Sequence, residues 1–407
     1  MASHSASSLP QHPRGFSSDL PVSGAWRPGM HPGRRRFHSF ATPERPFALE
    51  SGGALGQVTV AYETWGELDE DASNAVLICH ALTGDSHVSG PLEVGHPTPG
   101  WWEEIVGPGL AIDTDRYFVV CANVLGGCQG STGPSSAEPS TGTPYGSQFP
   151  TVTIRDMVRC QARLADALGV DRWLSVIGGS MGGMQVLEWG AMYPHRVRSL
   201  ASLCSAMAAS AQQIAWSAVG RLALTLDPRW RGGDYYGAER GDGPHAGLAI
   251  ARQIAQIHYR SDEVFQDRFG RELVDSSAVF GLWDRFQVES YLDYHGEKLV
   301  RRFDANSYLL LNRAMDLHDL ARGRRSLRAA AGRIQAPVLT LSISSDFLYP
   351  PHQQREVHDL IVDTGGTCRH LELDSPQGHD GFLLEVGPVG EAIAELLHDA
   401  ETTGAQP

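Results

Sequence analysis

From about residue 58 onward, short apolar runs alternate with longer segments of helical periodicity. The runs are VTVAYETWG (58–66), NAVLICHAL (74–82), YFVVCANVLGG (117–127), WLSVIGG (173–179), VRSLASLCS (197–205), PVLTLSIS (337–344) and CRHLELD (368–374). Most are continuously apolar and rich in Val, Leu and Ile, the pattern of strands covered on both faces. Between them lie helix-length stretches such as TIRDMVRCQARLADALG (153–169) and HQQREVHDLIVD (352–363). Alternation of this kind predicts an α/β fold with a mostly parallel sheet.

The strand pattern stops at about residue 206 and resumes at Pro337. Residues 206–334 read as helical, and in GLAIARQIAQIHYRS the residues Ile250, Ile254 and Ile257 form a stripe at three- and four-residue spacing, predicting the buried face of a helix. Because strands follow this block, it is expected to be an insertion, a helical cap over the C-terminal edge of the sheet. The core is then residues 46–205 together with 335–400. The first 45 residues, rich in Ser, Pro, Gly and His and containing GRRRF, read as a flexible or surface-draped arm. The segment GGCQGSTGPSSAEPSTGTPYGS (126–147) reads as a long loop, and loops of that length in a compact domain are usually functional or mobile.

Composition narrows the function without identifying it. The chain has 407 residues, 42% hydrophobic and 20% charged, enough for a substantial core. Its formal net charge of -14 disfavours nucleic-acid or anionic-membrane surfaces and favours small diffusing substrates. Six cysteines (Cys79, Cys121, Cys128, Cys160, Cys204, Cys368) show neither CxxC nor His-paired spacing, so zinc and a disulfide framework are not expected. With no secretory h-region and no apolar stretch of about 18 residues, a reducing cytoplasm is the expected location.

The chemistry centres on VIGGSMGGMQVLEW (176–189). The glycines at 178, 179, 182 and 183 do not fit G-x-G-x-x-G, and a P-loop would need Lys before its Ser. What fits is G-x-S-x-G between a strand and a helix, a sharp turn that holds Ser180 at a helix N-terminus, where N–H groups favour a developing anion. A nucleophilic serine of this kind is followed in sequence by an acid and then a histidine. Asp346, in SISSDFLYPP, follows one strand and His379, in DSPQGHDGF, follows the last, so all three lie at C-terminal strand ends on one edge of the sheet. Ser180 is expected to attack an acyl carbonyl, His379 to carry the proton, and Asp346 to fix the imidazole tautomer. The N–H groups of Met181 and Leu82 are the expected oxyanion donors. His80, two residues ahead of Leu82, suits a structural role better than that of the base.

The segments NVLGGCQGSTGPSS, GGSMGGMQVLEW, DPRWRGGDYY, RFDANSYL, SDFLYPP and GHDGFLLE together resemble the homoserine O-acetyltransferases, from about residue 45 to 398. The resemblance implies an α/β-hydrolase fold and acetyl transfer from acetyl-CoA to the hydroxyl of L-homoserine. It implies a ping-pong route through an acetyl-serine in methionine biosynthesis, and a homodimer whose caps meet. No metal or organic cofactor is implied, since acetyl-CoA enters as a co-substrate. The family's catalytic Ser, Asp and His fall on Ser180, Asp346 and His379, and its substrate-binding Arg and Asp on Arg252 and Asp380. From the residues alone, Arg252 reads as a solvated helix position and Asp380 as a helix cap. Succinyl-using relatives tend to carry a basic residue within SDFLYPP, where this chain has Leu348, so acetyl is the expected acyl group. A capped serine esterase, a succinyl-transferring relative and a serine-accepting relative remain as alternatives.

Overall fold

The computed structural model describes residues 17–277 and 279–403. The seven apolar runs all become strands of one eight-stranded sheet: β2 (Val58–Trp65), β3 (Ala75–Cys79), β4 (Phe118–Ala122), β5 (Ser175–Gly179), β6 (Leu200–Leu203), β7 (Val338–Ile343) and β8 (Cys368–Leu373). The eighth, β1 (Arg36–Phe40), pairs antiparallel with β2 and completes the order β1-β2-β4-β3-β5-β6-β7-β8. The β2–β4 pair is also antiparallel, and β4-β3-β5-β6-β7-β8 run parallel. Every residue of β3, β4, β5, β6 and β7 is buried, which is why their apolar runs are continuous rather than alternating.

Two apolar cores cover the two faces. One packs Met157, Val158 and Leu164 of α1 (Ile154–Leu168), Met184 and Leu187 of α2 (Met181–Met192) and Val357 and Ile361 of a later helix against Val58, Leu77 and Val176. The other packs Ile393 and Leu397 of the C-terminal helix against Val76, Ile177 and Leu341. Helix α1 shows how local the signals are. Thr153 and Asp156 form a reciprocal capping box at its start, and Gly169, at φ 75°, closes its end.

Between β6 and β7 the chain inserts α3 (Ala211–Thr225), α4 (His245–Tyr259), α5 (Asp262–Phe269), α6 (Gln287–Val300), α7 (Ala305–Asp316) and the short α8 (Leu327–Ala331). The core then resumes with α9 (Pro351–Asp363), α10 (Gly381–Leu384) and α11 (Val386–Thr403). Among the described residues, no helix is long and apolar enough to cross a membrane.

Two sequence expectations need correction here. The proposed arm, residues 1–45, is built into the fold from residue 17. Leu20, Val22 and Ala25 are buried, Gly24 N–H donates to Phe303 O (3.1 Å), and β1 forms the sheet edge. Its Ser, Pro and Gly content conceals these apolar anchors, which work singly rather than as a run; residues 1–16 lie outside the described residues. The Ile250, Ile254, Ile257 stripe is not the buried face of α4: Ile250 and Ile257 are 45% and 43% exposed. That helix buries Gly247, Leu248, Ala249, Ala251 and Ala255 instead, because small residues permit the close approach of its helical neighbours. The long loop is packed rather than loose over its first half, where Thr132 N–H donates to Thr59 O (2.8 Å) and Ala61 N–H to Ser131 Oγ (2.9 Å).

Several histidines are buried neutral. Burial pushes His96 and His318 down to about 4 and His258 to about 3, with neighbouring positive charge adding to the effect at His258. An unfolded histidine protonates near pH 6.5, so the unfolded chain binds more protons than the folded one from there down to about pH 4. The stability these neutral rings contribute is complete above about pH 6.5 and is lost as pH falls through that window, by about 2 kcal/mol each at pH 5. Urea midpoints are therefore expected to fall between pH 7 and pH 5; equal midpoints would contradict this account.

Candidate active site

Ser180 stands between β5 and α2 at φ 58° and ψ −122°, a backbone state that side-chain-bearing residues rarely adopt. The surrounding glycines hold it there by leaving space. A Cβ at Gly182 would overlap the carbonyl oxygen of Cys79 at the end of β3, and one at Gly179 would enter the ring of Phe382. Backbone cannot yield as a flexible side chain can, so Gly182→Ala is expected to cost about 3 kcal/mol or to give insoluble protein. Gly237→Ala, which meets nothing within 4 Å, serves as the control and is expected to stay within about 0.5 kcal/mol of wild type. Thermal melts of the two variants compare them directly.

Asp346 lies just past β7 and His379 in a 3₁₀ turn after β8, and the structure brings them together. His379 Nδ1 donates to Asp346 Oδ2 at 2.7 Å, with the two side chains 3% and 0% exposed. Asp346 Oδ1 accepts the N–H groups of Leu348 (2.9 Å) and Tyr349 (2.8 Å), so the carboxylate is fixed by its own loop. Tyr349 stacks on the His379 ring at 5.0 Å and 26°, and Phe382 meets it at 5.7 Å. His379 Nε2 is buried with no hydrogen-bond partner among the described residues, leaving its lone pair available to a proton donor. Ser180 shares with Leu82, Leu348 and Tyr349 a cavity that has about 30 Å³ of room for water centres, roughly one or two waters. Its far wall comes from α3, α4 and α7, including Trp216, Ala251, His258 and Tyr308.

Met181 opens α2 immediately after Ser180, and Leu82 sits in a turn closed by Gly84 N–H to Ala81 O at 2.9 Å. That turn is braced from the insert, since Arg302 donates to Thr83 O (2.9 Å) and to Asp85 Oδ2 (2.9 Å). His80 has both ring nitrogens engaged by backbone, Nδ1 with Ala81 O (2.7 Å) and Nε2 with Val124 N–H (3.1 Å). It is a structural histidine, as its position suggested.

Arg252 and Asp380 lie in surroundings that sequence alone could not give. Arg252 is half-buried, its guanidinium 5.2 Å from the centre of the Tyr259 ring, and it makes no ion pair among the described residues. Its cation is thus uncompensated near the cavity, not a solvated helix position. Asp380 is paired instead with Arg260, Nε to Oδ2 at 3.2 Å, while Arg260 Nη1 donates to Gln377 Oε1 at 3.1 Å. Ser261 Oγ also bonds to Pro376 O, and a Cβ at Gly378 would strike Tyr259 O at 2.8 Å. The turn carrying His379 is therefore clamped to the C-terminal end of α4. Arg260 and Arg302 escape sequence reading because each acts through partners more than 100 residues away, and His258 because only the packing of the insert makes it line the cavity.

A cluster of ligating groups lies elsewhere. Glu63, His87 and His96 are buried with potential donor atoms within 4.8 Å of one another. The two imidazoles stack at 3.8 Å and 12°, so their in-plane lone pairs lie in nearly parallel planes and do not converge on one ion. His96 Nε2 already accepts Arg34 N–H (3.0 Å), and Glu63 takes Ser86 Oγ–H (2.8 Å) and His87 Nδ1–H (2.9 Å). Burial lowers the His87 pKa, but the hydrogen bond and charge of Glu63 outweigh it and raise the net value. The cluster fits a hydrogen-bonded clasp for the N-terminal segment better than a metal centre.

An apolar cavity with a strained serine, a histidine oriented by a buried carboxylate and a helical roof is an arrangement for acyl chemistry. Known proteins agree with that reading. The family model of the alpha/beta hydrolase fold matches residues 74–386. A homoserine O-acetyltransferase of Thermobifida fusca is 54% identical over 378 residues, 93% of this chain and 97% of its own. Among solved structures, a homoserine O-acetyltransferase from Bacillus anthracis matches with a TM-score of 0.81 at 28% identity, over 89% of this chain and 97% of its own. Esterase E22 matches with a TM-score of 0.80 at 30% identity, over 89% of this chain and 100% of its own. Fold, site geometry and extended sequence identity together make this chain a member of the homoserine O-acetyltransferase family, acyltransferases built on the α/β-hydrolase fold.

Proposed function

We propose that the protein transfers the acetyl group of acetyl-CoA to the hydroxyl of L-homoserine, giving O-acetyl-L-homoserine for methionine biosynthesis. Ser180 Oγ attacks the thioester carbonyl while His379 Nε2 takes its proton, and the N–H groups of Met181 and Leu82 receive the oxyanion. CoA leaves as the thiol with that proton, and Ser180 carries the acetyl ester. Homoserine then enters, His379 deprotonates its hydroxyl, and the new ester forms as Ser180 Oγ is reprotonated. Asp346 holds the productive tautomer throughout. No metal or organic cofactor is needed in this scheme.

The observation that carries the reading is the cavity beside Ser180, which is narrow, roofed by helices and lined by Tyr259, against whose ring Arg252 rests without an ion pair among the described residues. A guanidinium without an acid partner among the described residues suits the acceptor's carboxylate, and Asp380, positioned by its pairing with Arg260, suits its ammonium. Leu348 lines the cavity, and no Lys or Arg does so among the described residues, which favours an acetyl over a succinyl group. Exposed apolar residues on the insert, Val219 and Leu222 on α3 and Leu226 at its end with Ile250 and Ile257 on α4, favour a homodimer through these helices. A cytoplasmic location accords with six free thiols.

The esterase reading uses the same residues and differs only in the acceptor. Intact mass after mixing with acetyl-CoA separates the two. The expected result is a protein-bound acetyl group that persists until homoserine is added and is then recovered as O-acetylhomoserine. Release of CoA at one rate with and without homoserine, with no O-acetylhomoserine formed, would sink the transferase reading. Faster turnover with succinyl-CoA would overturn the assignment of the acyl group.

A further inference from the structure

One polar group in the cavity has no part in the scheme above. His258, 7% exposed, lies on the face of α4 formed with Ala251, Ile254 and Ala255, and all four line the cavity that contains Ser180. Its ring is packed by Trp216 (5.1 Å, 39°) and edge-on by Tyr259 (5.0 Å, 88°). Those contacts fix the plane of the imidazole and satisfy neither nitrogen. Nδ1 is buried without a hydrogen-bond partner among the described residues. His80, with both nitrogens bonded to backbone, shows what a purely structural histidine looks like in this protein.

The acetyl group offers this imidazole nothing, since its methyl is apolar and its carbonyl faces the oxyanion donors. The acceptor does. In the proposed reaction it must reach from His379, where its hydroxyl loses a proton, toward Arg252, which meets its carboxylate. His258, Arg252 and His379 all meet the Tyr259 ring, at 5.0, 5.2 and 5.8 Å, and burial together with nearby positive charge keeps His258 uncharged at neutral pH. A neutral imidazole supplies one donor and one acceptor without adding another cation beside Arg252.

We propose that His258 is a substrate-contacting specificity residue of the second half-reaction, hydrogen-bonding the amino-acid alcohol in the acetyl-enzyme and favouring it over water. This rests on the acceptor reading above. Water gains little from one fixed donor and acceptor, whereas an extended polar acceptor gains orientation.

The test measures the two half-reactions separately in the full-length protein, in His258→Leu and in His258→Asn, which keeps polar atoms. Acetylation is followed as the burst of CoA released from acetyl-CoA, whose amplitude also reports the correctly folded fraction. Discharge is followed as loss of the acetyl mass with homoserine and with water alone. The expected result for His258→Leu is an acetylation rate within about twofold of wild type and a homoserine discharge slower by about tenfold or more, the loss of one buried hydrogen bond. Hydrolysis by water is unchanged, and His258→Asn recovers part of the discharge rate. Equal losses in both half-reactions, or wild-type discharge in His258→Leu, would overturn the inference alone. A wild-type acetyl-enzyme that homoserine does not discharge would overturn the acceptor reading, and this inference with it.

Discussion

Replacing Ser180 by alanine is expected to lower acetyl transfer by about five to six orders of magnitude while leaving the melting temperature near that of wild type. The size of the effect follows from what is removed. In the proposed reaction Oγ is the one atom that forms the acyl bond, and without it neither the imidazole nor the oxyanion donors would have an intermediate to serve. The small effect on stability follows from what is kept. Alanine retains the Cβ already accommodated at φ 58°, and the backbone bond from Met184 N–H to Ser180 O (3.2 Å) does not involve the hydroxyl. Product formation by quenched assay and the absence of the acetyl mass check the first effect, and a thermal melt checks the second. A variant retaining more than a few per cent of wild-type transfer would require another nucleophile.

The second large effect is expected from Asp346→Asn, a loss of about 10⁴ in kcat with the fold preserved. The structure gives the reason. Two backbone N–H groups, from Leu348 and Tyr349, point at Oδ1, and only the carbonyl oxygen of an asparagine can satisfy them. The amide nitrogen is then turned toward His379, where the carboxylate oxygen had accepted Nδ1–H at 2.7 Å. Facing a donor, Nδ1 becomes the acceptor, the proton moves to Nε2, and the imidazole can no longer take the Ser180 proton. Both half-reactions should slow together, in contrast to His258→Leu, which is expected to slow only discharge. A loss below about tenfold would mean that the tautomer is set by something other than Asp346.

How much of this was legible in the chain depends on the range of each signal. The strands β3 to β7 are legible because burial on both faces leaves an uninterrupted apolar run, β2 and β8 from shorter runs broken by polar residues on their more exposed positions, and α1 because Thr153, Asp156 and Gly169 are local caps. Strand β1 is not legible: RFHSF at a sheet edge carries no apolar run, and its pairing with β2 depends on residues about 20 positions away. The α4 stripe misleads for a related reason. Periodicity shows that α4 has two faces, but the neighbouring helices of the insert decide which is buried, and they select the alanines.

The candidate site divides along the same line. By itself the sequence determined the elements and their order, the glycine-framed turn around Ser180, and the places of Asp346 and His379 after later strands, because these are patterns of a few adjacent residues. Only the tertiary structure decided that Asp346 meets His379, that Asp380 is held by Arg260 while Arg252 has no acid partner among the described residues, and that His258 opens onto the nucleophile's cavity. Those outcomes depend on burial and on distances between segments far apart in the chain, which no local pattern encodes.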